Sequence, residues 1–313
     1  MKRLLGSILI LSIIISSAAI SIAASSQLKG TLTLSGAWAI YPTAVKWGEE
    51  FMKKYPGVRV DISAGGAGKG ATDAIAGLVD IGMVSRDPDP SEVKRGAFPI
   101  AILHDAVFPT ISIKNPAIKE LQSTGLTADQ LTKIWITGNI TSWNQVSKTK
   151  STGGVHVYTR SDACGAAATW AKFLGNKKQE DLKGIAVYGD PGLLETVKRD
   201  VLGIGYNNYS FVYTREGQVV PGIVLLPIDA NKNGKADPDE ILDTRNKAKS
   251  AIEKGTYPAG RKNFFFTKGK PKGLAKEFIQ FALSDEGAKY VDEVGTSLSL
   301  PKADRDKVIK SLD

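Results

Sequence analysis

The stretch VRVDISAGGAGKGATDAIAGLVDIGMVSRD, residues 58–87, decides the fold. VRVDIS reads as a short β run, GATDAIAGLV as a helix that starts at a turn of small residues, and DIGMVS as the next β run. The alternation continues in both directions. LTLSG leads into the helical TAVKWGEEFMKKY, VFPTISI is a further β run, and VHVYTR leads into GAAATWAKFL. Strands alternating with helices define α/β units on mostly parallel sheets. In the first helix Gly48, Phe51, Met52 and Tyr55 fall at i, i+3, i+4 and i+7 as one buried face, and Pro56-Gly57 stops it. Thr127 and Gln130 read as a capping box, and Leu274, Phe278, Phe281 and Ala282 as an amphipathic helix.

The chain has 313 residues, 42% hydrophobic and 23% charged, with one Cys. That composition excludes disordered, collagen-like and disulfide-stapled classes. Met1-Lys2-Arg3 followed by small and apolar residues to Ala24 is a signal-peptide layout with a small-residue cleavage region, SIAAS. The apolar run is long enough, about 20 residues, to serve instead as an uncleaved membrane anchor. Either way the bulk is expected outside the cytoplasm: periplasmic, extracellular or held on the outer face of the membrane. At ~150 residues per domain the remainder makes two domains. Lys and Arg outnumber Asp and Glu by 41 to 32 but are scattered, which favours anionic solutes and argues against nucleic acid.

Three segments share one local design, a β run meeting a small-residue turn from which a helix starts: SGAWAIYP (35–42), GGAGKGATD (65–73) and RSDACGAAAT (160–169). Each new helix presents unpaired N–H groups and the positive end of its dipole, so together the three can cradle one anion. Taken singly, such turns are ordinary chain reversals. Arg160 offers forked donors to an oxyanion, and Asp162, which accepts only, would select an anion that still carries a proton. The alternative is a surface ion pair, or Asp162 as a helix cap. Lys69 and Arg86 raise the same choice between ligand and solvent.

In order along the chain, SGAWAIYP, the 58–87 stretch, LTADQLTKIWITGNITSWNQV, VHVYTRSDACGAAATWAKFL and GIGYNNYSFVY resemble the phosphate-binding proteins of ABC importers. The resemblance covers most of residues 28 to 300. It implies a type II periplasmic-binding-protein-like α/β fold of two lobes joined by a two-strand hinge. Residues 28–105 plus 265–313 would form the first lobe and 106–264 the second, with VFPTISI and RKNFFFTKG as the crossovers. It also implies a phosphate or similar oxyanion ligand, an ABC permease partner, a monomer, and no cofactor for activity. Carried over by motif, the anion-binding positions are Ala39, Ile40 and Tyr41; Gly66, Ala67, Gly68 and Lys69; Ser85 and Arg86; and Arg160, Asp162, Cys164, Gly165 and Ala166. Ile40, Ala67, Cys164 and Ala166 stand where the family has hydroxyls. Each lost neutral hydrogen bond is worth ~0.5–1.5 kcal/mol, the backbone amides persist, and Lys69 adds a charge.

Asp229, Asn231, Asn233, Asp237 and Glu240, with Gly234 at the bend, fit a calcium-loop pattern whose oxygens suit a hard cation. The run before it, IVLLPI, reads as a strand, and a polar Asn/Gly loop is the alternative. Enzyme motifs are lacking: SAGGAGKG misses the first Gly and the hydroxyl of a Walker loop, and Trp170 stands where a Cys-based phosphatase needs Arg. Two function classes stay open, an oxyanion-binding module and an anion-processing or thiol enzyme centred on Cys164 at a helix start. A membrane-anchored anion sensor is a third.

Overall fold

The computed structural model describes residues 28–148, 150 and 153–313. The proposed leader, 1–24, lies outside them, and none of the described helices is long and apolar enough to cross a membrane.

The first lobe is built on β1 (Gly30–Gly36), β2 (Val58–Ala64) and β3 (Ile81–Val84), which pair parallel in the order β2-β1-β3. Helix α1 (Tyr41–Lys54) follows β1, and α2 (Ala67–Ala76) follows β2. Thr43, Ala44, Trp47, Gly48 and Phe51 are the buried residues of α1, while Met52 and Tyr55 are only half-buried, so its core face is turned toward Ala44 and Trp47. The glycines do not delay α2. It begins at Ala67, three residues before the helical run read from sequence, and ends where Gly77 takes φ +73°, a conformation that Gly adopts without a Cβ penalty.

The hinge is larger than the sequence suggested. β4 runs unbroken from Ala97 to Ser112, and at about 3.3 Å per residue it traverses both lobes. VFPTISI is only its second half. β9 (Gly260–Lys268) lies antiparallel between β3 and β4, with Asp105 opposite Arg261 and Leu103 opposite Asn263. On the far side of β4, β7 (Gly203–Asn208) pairs antiparallel, followed by β5 (His156–Arg160) and β6 (Ile185–Val187) in parallel. The short β8 (Ile223–Leu225) pairs antiparallel with the end of β4. Helices α3 (Gly165–Phe173) and α4 (Gly189–Arg199) follow β5 and β6. The Thr127–Gln130 capping box forms as read.

Two hydrophobic clusters divide at the hinge. One holds Trp47, Phe51, Phe265 and Phe278, the other Phe108, Trp135, Trp170 and Tyr206. Leu298 departs from the 265–313 assignment: its short strand pairs with β4 at His104 and its side chain joins the second cluster, a third link between the lobes.

Candidate functional site

The three turns meet where the lobes meet. A Cβ on Gly66 would lie 2.7 Å from the Ala163 carbonyl and 2.9 Å from Asp162 Oδ2, and one on Gly36 would lie 2.8 Å from Gly70 Cα. Glycine at these positions is a packing requirement, because backbone passes where a side chain would stand. Across the lobes, Gly68 N–H donates to the Ala163 carbonyl at 2.9 Å.

Around this junction the amides of Ala39, Ala67, Lys69, Gly165 and Ala166 have no protein acceptor among the described residues. Ala39, Ala67 and Ala166 are essentially inaccessible. Buried unpaired N–H groups are rare in native interiors, and these cluster at three chain reversals, two of them helix starts. Ile40 and Tyr41 amides, by contrast, close back on the Ala37 carbonyl at 3.2 Å and belong to the turn itself.

Arg160 is no surface ion pair, since its side chain is 0% exposed. Its Nε and Nη2 donate to Asp162 at 2.8 and 2.6 Å, and its Nη1 donates to Asp190 Oδ2 at 2.6 Å. Three of the five guanidinium N–H groups are thus committed to carboxylates. Burial pulls the guanidinium pKa down, but Asp190 and Asp162 outweigh it and hold the charge. Burial raises the Asp190 carboxyl pKa while Arg160 opposes it. Both Asp190 oxygens accept hydrogen bonds, the second from Asn208 Nδ2 at 2.6 Å, which is the pattern of the ionised form. Asp162 accepts also from Gly189 N at 3.2 Å. It does not cap α3; Cys164 does, its Sγ accepting from Ala167 N at 3.4 Å.

The other basic candidates are engaged locally. Lys69 pairs with Asp73, which also accepts from Ser35 Oγ at 2.7 Å. Arg86 grips Glu92 with both Nη atoms, at 2.9 and 2.6 Å. Ser85 is buried against Gly165. Burial pushes the Cys164 thiol up to about 12 despite the neighbouring Arg160, so it is a neutral S–H at physiological pH. That removes the thiolate an enzyme reading needs. A cavity of about 1100 Å³ opens beside the junction, bounded by Arg86 and Asp87 of the first lobe, Cys164 and Lys172 of the second, and Arg261 of the hinge. Lys172 and Asp87 bridge its mouth at 2.6 Å.

Sequence reasoning missed Asp190, Asn208, Arg261 and Asp105. Arg261 donates to Asp105 Oδ2, at 3.1 Å from Nε, and to Asn208 Oδ1. The chain of contacts Arg160, Asp190, Asn208, Arg261, Asp105 therefore runs unbroken from the third turn to both hinge strands. The Gly-Asp-Pro-Gly at the start of α4 was the available signal, a fourth helix-initiating turn.

No residue of the Asp229–Glu240 loop lines this cavity, and the loop closes on itself. Asp229 accepts from the amides of Asn233 and Gly234 at 3.1 and 3.0 Å, and Glu240 from those of Ala230 and Asp237 at 2.8 and 3.1 Å. Asn231 and Asn233 both turn their Nδ2 toward Asp237 Oδ2, at 2.7 and 2.9 Å.

Two α/β lobes around a polar cleft, joined by long antiparallel strands, are the architecture of a solute-binding protein, and the chain belongs to the PBP superfamily, whose domain profile matches residues 21–286. Within it the chain is similar to the phosphate-binding protein PstS of Bacillus subtilis, 26% identical over 266 residues, 84% of this chain and 78% of the relative. It is also similar to the phosphate-binding protein PstS of Pseudomonas aeruginosa, 25% identical over 316 residues, 92% of this chain and 88% of that one. In fold it matches a Clostridium perfringens protein solved with bound phosphate and described as a candidate phosphate ABC transporter substrate-binding protein. There the TM-score is 0.71 at 23% identity, covering 87% of this chain and 100% of the other. An ABC-type phosphate transport receptor of Vibrio cholerae matches with TM-score 0.64 at 22% identity, covering 86% and 100%.

Proposed function

We propose that this is an exported, monomeric solute-binding protein, not an enzyme, that captures phosphate or a related tetrahedral oxyanion between its lobes and delivers it to the permease of an ABC importer. The observation that carries the reading is the convergence of unpaired backbone amides from three turns of both lobes around a buried Arg160. Relatives named for phosphate binding, aligned over most of the chain, support it. Recognition by amides and helix ends does not need the hydroxyls that Ile40, Ala67, Cys164 and Ala166 replace.

Charge argues for a protonated anion. Arg160 is flanked by two carboxylates, so the site's own side chains do not sum to a positive charge. A fully ionised anion meets acceptors it cannot satisfy, whereas hydrogen phosphate brings a donor. Calorimetric titration of the mature protein with phosphate, arsenate, sulfate, molybdate and tungstate tests this. Phosphate and arsenate should bind with one-to-one stoichiometry and sulfate at least about tenfold more weakly, the scale of one unsatisfied buried acceptor. Binding of none of the five, or equal binding of sulfate, overturns it. For the Asp229–Glu240 loop we propose a structural Ca²⁺, reached when the Asn231 and Asn233 carboxamides turn their oxygens inward.

A further inference from the structure

Asn263 is fully buried, 0% exposed, and both its carboxamide oxygen and its nitrogen lack a hydrogen-bond partner. Such a group is costly to leave unpaired, and native interiors contain few of them.

Its place in the sheet shows what it faces. β9 pairs antiparallel with β3 through Gly82 and Phe266, Met83 and Phe265, and Val84 and Phe264. Carrying that register one residue on sets Ser85 opposite Asn263. Opposed residues of antiparallel strands project to the same side of a sheet, so Asn263 points where Ser85 points. Ser85 Oγ is aimed at the third turn, for a Cβ on Gly165 would lie 2.3 Å from it. Two residues along β9, on the same face, Arg261 reaches Thr169 Oγ1 at 3.2 Å, one helical turn beyond Gly165. Asn263 therefore lies between these two contacts and faces the first turn of α3, where the Gly165 and Ala166 amides are unpaired. Its partner on β4, Leu103, is apolar and offers it nothing.

We propose that Asn263 forms the floor of the anion site and is the group that reads the ligand's proton. The inference rests on the oxyanion reading above. A carboxamide both donates and accepts: Nδ2–H can donate to an ionised ligand oxygen while Oδ1 accepts from a ligand hydroxyl. Hydrogen phosphate satisfies both atoms and sulfate only one. Asp162 is poorly placed for that role, because its oxygens already accept from Arg160 twice and from Gly189.

The test is titration of inorganic phosphate and of sulfate into the wild-type chain, Asn263→Leu and Asn263→Asp, with melting temperatures of the unliganded proteins. Asn263→Leu should lose about tenfold or more of phosphate affinity and narrow the phosphate-to-sulfate ratio. Its unliganded melting temperature should hold or rise, because an apolar residue of similar shape removes two unpaired atoms. Unchanged phosphate affinity and ratio in Asn263→Leu overturn the assignment while leaving the oxyanion site intact. A wild-type protein that binds neither anion, nor any other oxyanion, removes the site itself and this role with it. If Asn263→Leu does not fold, the Nδ2 proton resonances of Asn263, assigned in ¹⁵N-asparagine-labelled protein by their loss in Asn263→Asp, serve instead. They should move on adding phosphate, and resonances that stay fixed through saturation overturn the proposal.

Discussion

Gly165 rests so closely on Ser85 that a β-carbon at position 165 would sit 2.0 Å from the Ser85 carbonyl oxygen. The two residues belong to different lobes, and the atom met is backbone, which has no rotamer to yield. The contact can exist only while the lobes are together.

Gly165→Ala should therefore hold the lobes apart without harming either one. Gly165 opens α3 without a left-handed backbone, so Ala suits it locally. Oxyanion affinity should fall by about tenfold or more as the competent closed state is depopulated. Small-angle scattering in saturating phosphate should give a larger radius of gyration than for wild type, with the melting temperature little changed. A variant that binds and closes like wild type would show that closure does not need this contact.

Arg160 should matter to stability as well as to binding. Arg160→Met leaves Asp162 and Asp190 buried without the counter-charge they share, and breaking a buried pair in this way typically costs about 3–5 kcal/mol. Urea unfolding should report that loss, and adding Asp190→Asn should recover part of it. Lys69→Met should barely alter oxyanion affinity, because the ammonium is held by Asp73. A large loss of affinity from Lys69→Met would make that lysine a ligand group after all.

Cys164 should be chemically quiet. With its thiol pushed up to about 12 by burial, iodoacetamide at pH 8 should label it at the rate of global or local opening, and Cys164→Ser should keep oxyanion binding. The folded pKa lies above the thiol's ordinary value of 9.0, so the folded state favours the protonated thiol. That contribution to stability is complete below pH 9.0 and is lost as pH rises toward about 12, which alkaline unfolding of wild type against Cys164→Ser would show. Fast labelling of the native protein would restore the thiol-enzyme reading.

The strand-turn-helix rhythm of residues 30–87 was legible because small residues mark turns and apolar periodicity marks helices. Arg160 and Asp162 were legible for the same local reason. Their partners were not. Asp190 lies 30 residues from Arg160, and Arg261 lies 156 from Asp105, separations that only the folded sheet brings together. The full reach of β4 was hidden because His104 and Asp105 interrupt its apolar run, and Asp105 is tolerated there only by pairing with Arg261. The engagement of Lys69 was half visible, since Asp73 follows it at the i+4 spacing that lets helical charges meet.

Trp38 should report closure. Its ring lies 6.4 Å from Tyr41 of its own lobe and 6.3 Å from Tyr188 of the other, and its indole N–H is buried without a partner. Trp47, Trp135, Trp143 and Trp170 are fully buried within the two cores and should not sense lobe motion. Phosphate should change the intrinsic fluorescence, and Trp38→Phe should remove most of that change. An equal signal in Trp38→Phe would place the reporting residue elsewhere.

The loop from Asp229 to Glu240 separates a cation site from a self-sufficient turn. Its carboxylates already hold the loop through backbone amides, and Lys232 and Gly234 take left-handed conformations at φ +60° and +75° to let them reach. Calcium must therefore compete with formed hydrogen bonds and turn two carboxamides. If it succeeds, it stabilises by mass action: at a hundredfold excess over its dissociation constant, about 2.7 kcal/mol. The melting temperature should then fall on adding EDTA and recover with excess calcium, with magnesium less effective because it demands a tighter octahedral shell. Asn233→Ala should abolish the calcium response while leaving phosphate affinity unchanged, since no loop residue lines the interlobe cavity. A melting temperature indifferent to both EDTA and calcium would leave Asp229 to Glu240 as a turn held by its own hydrogen bonds.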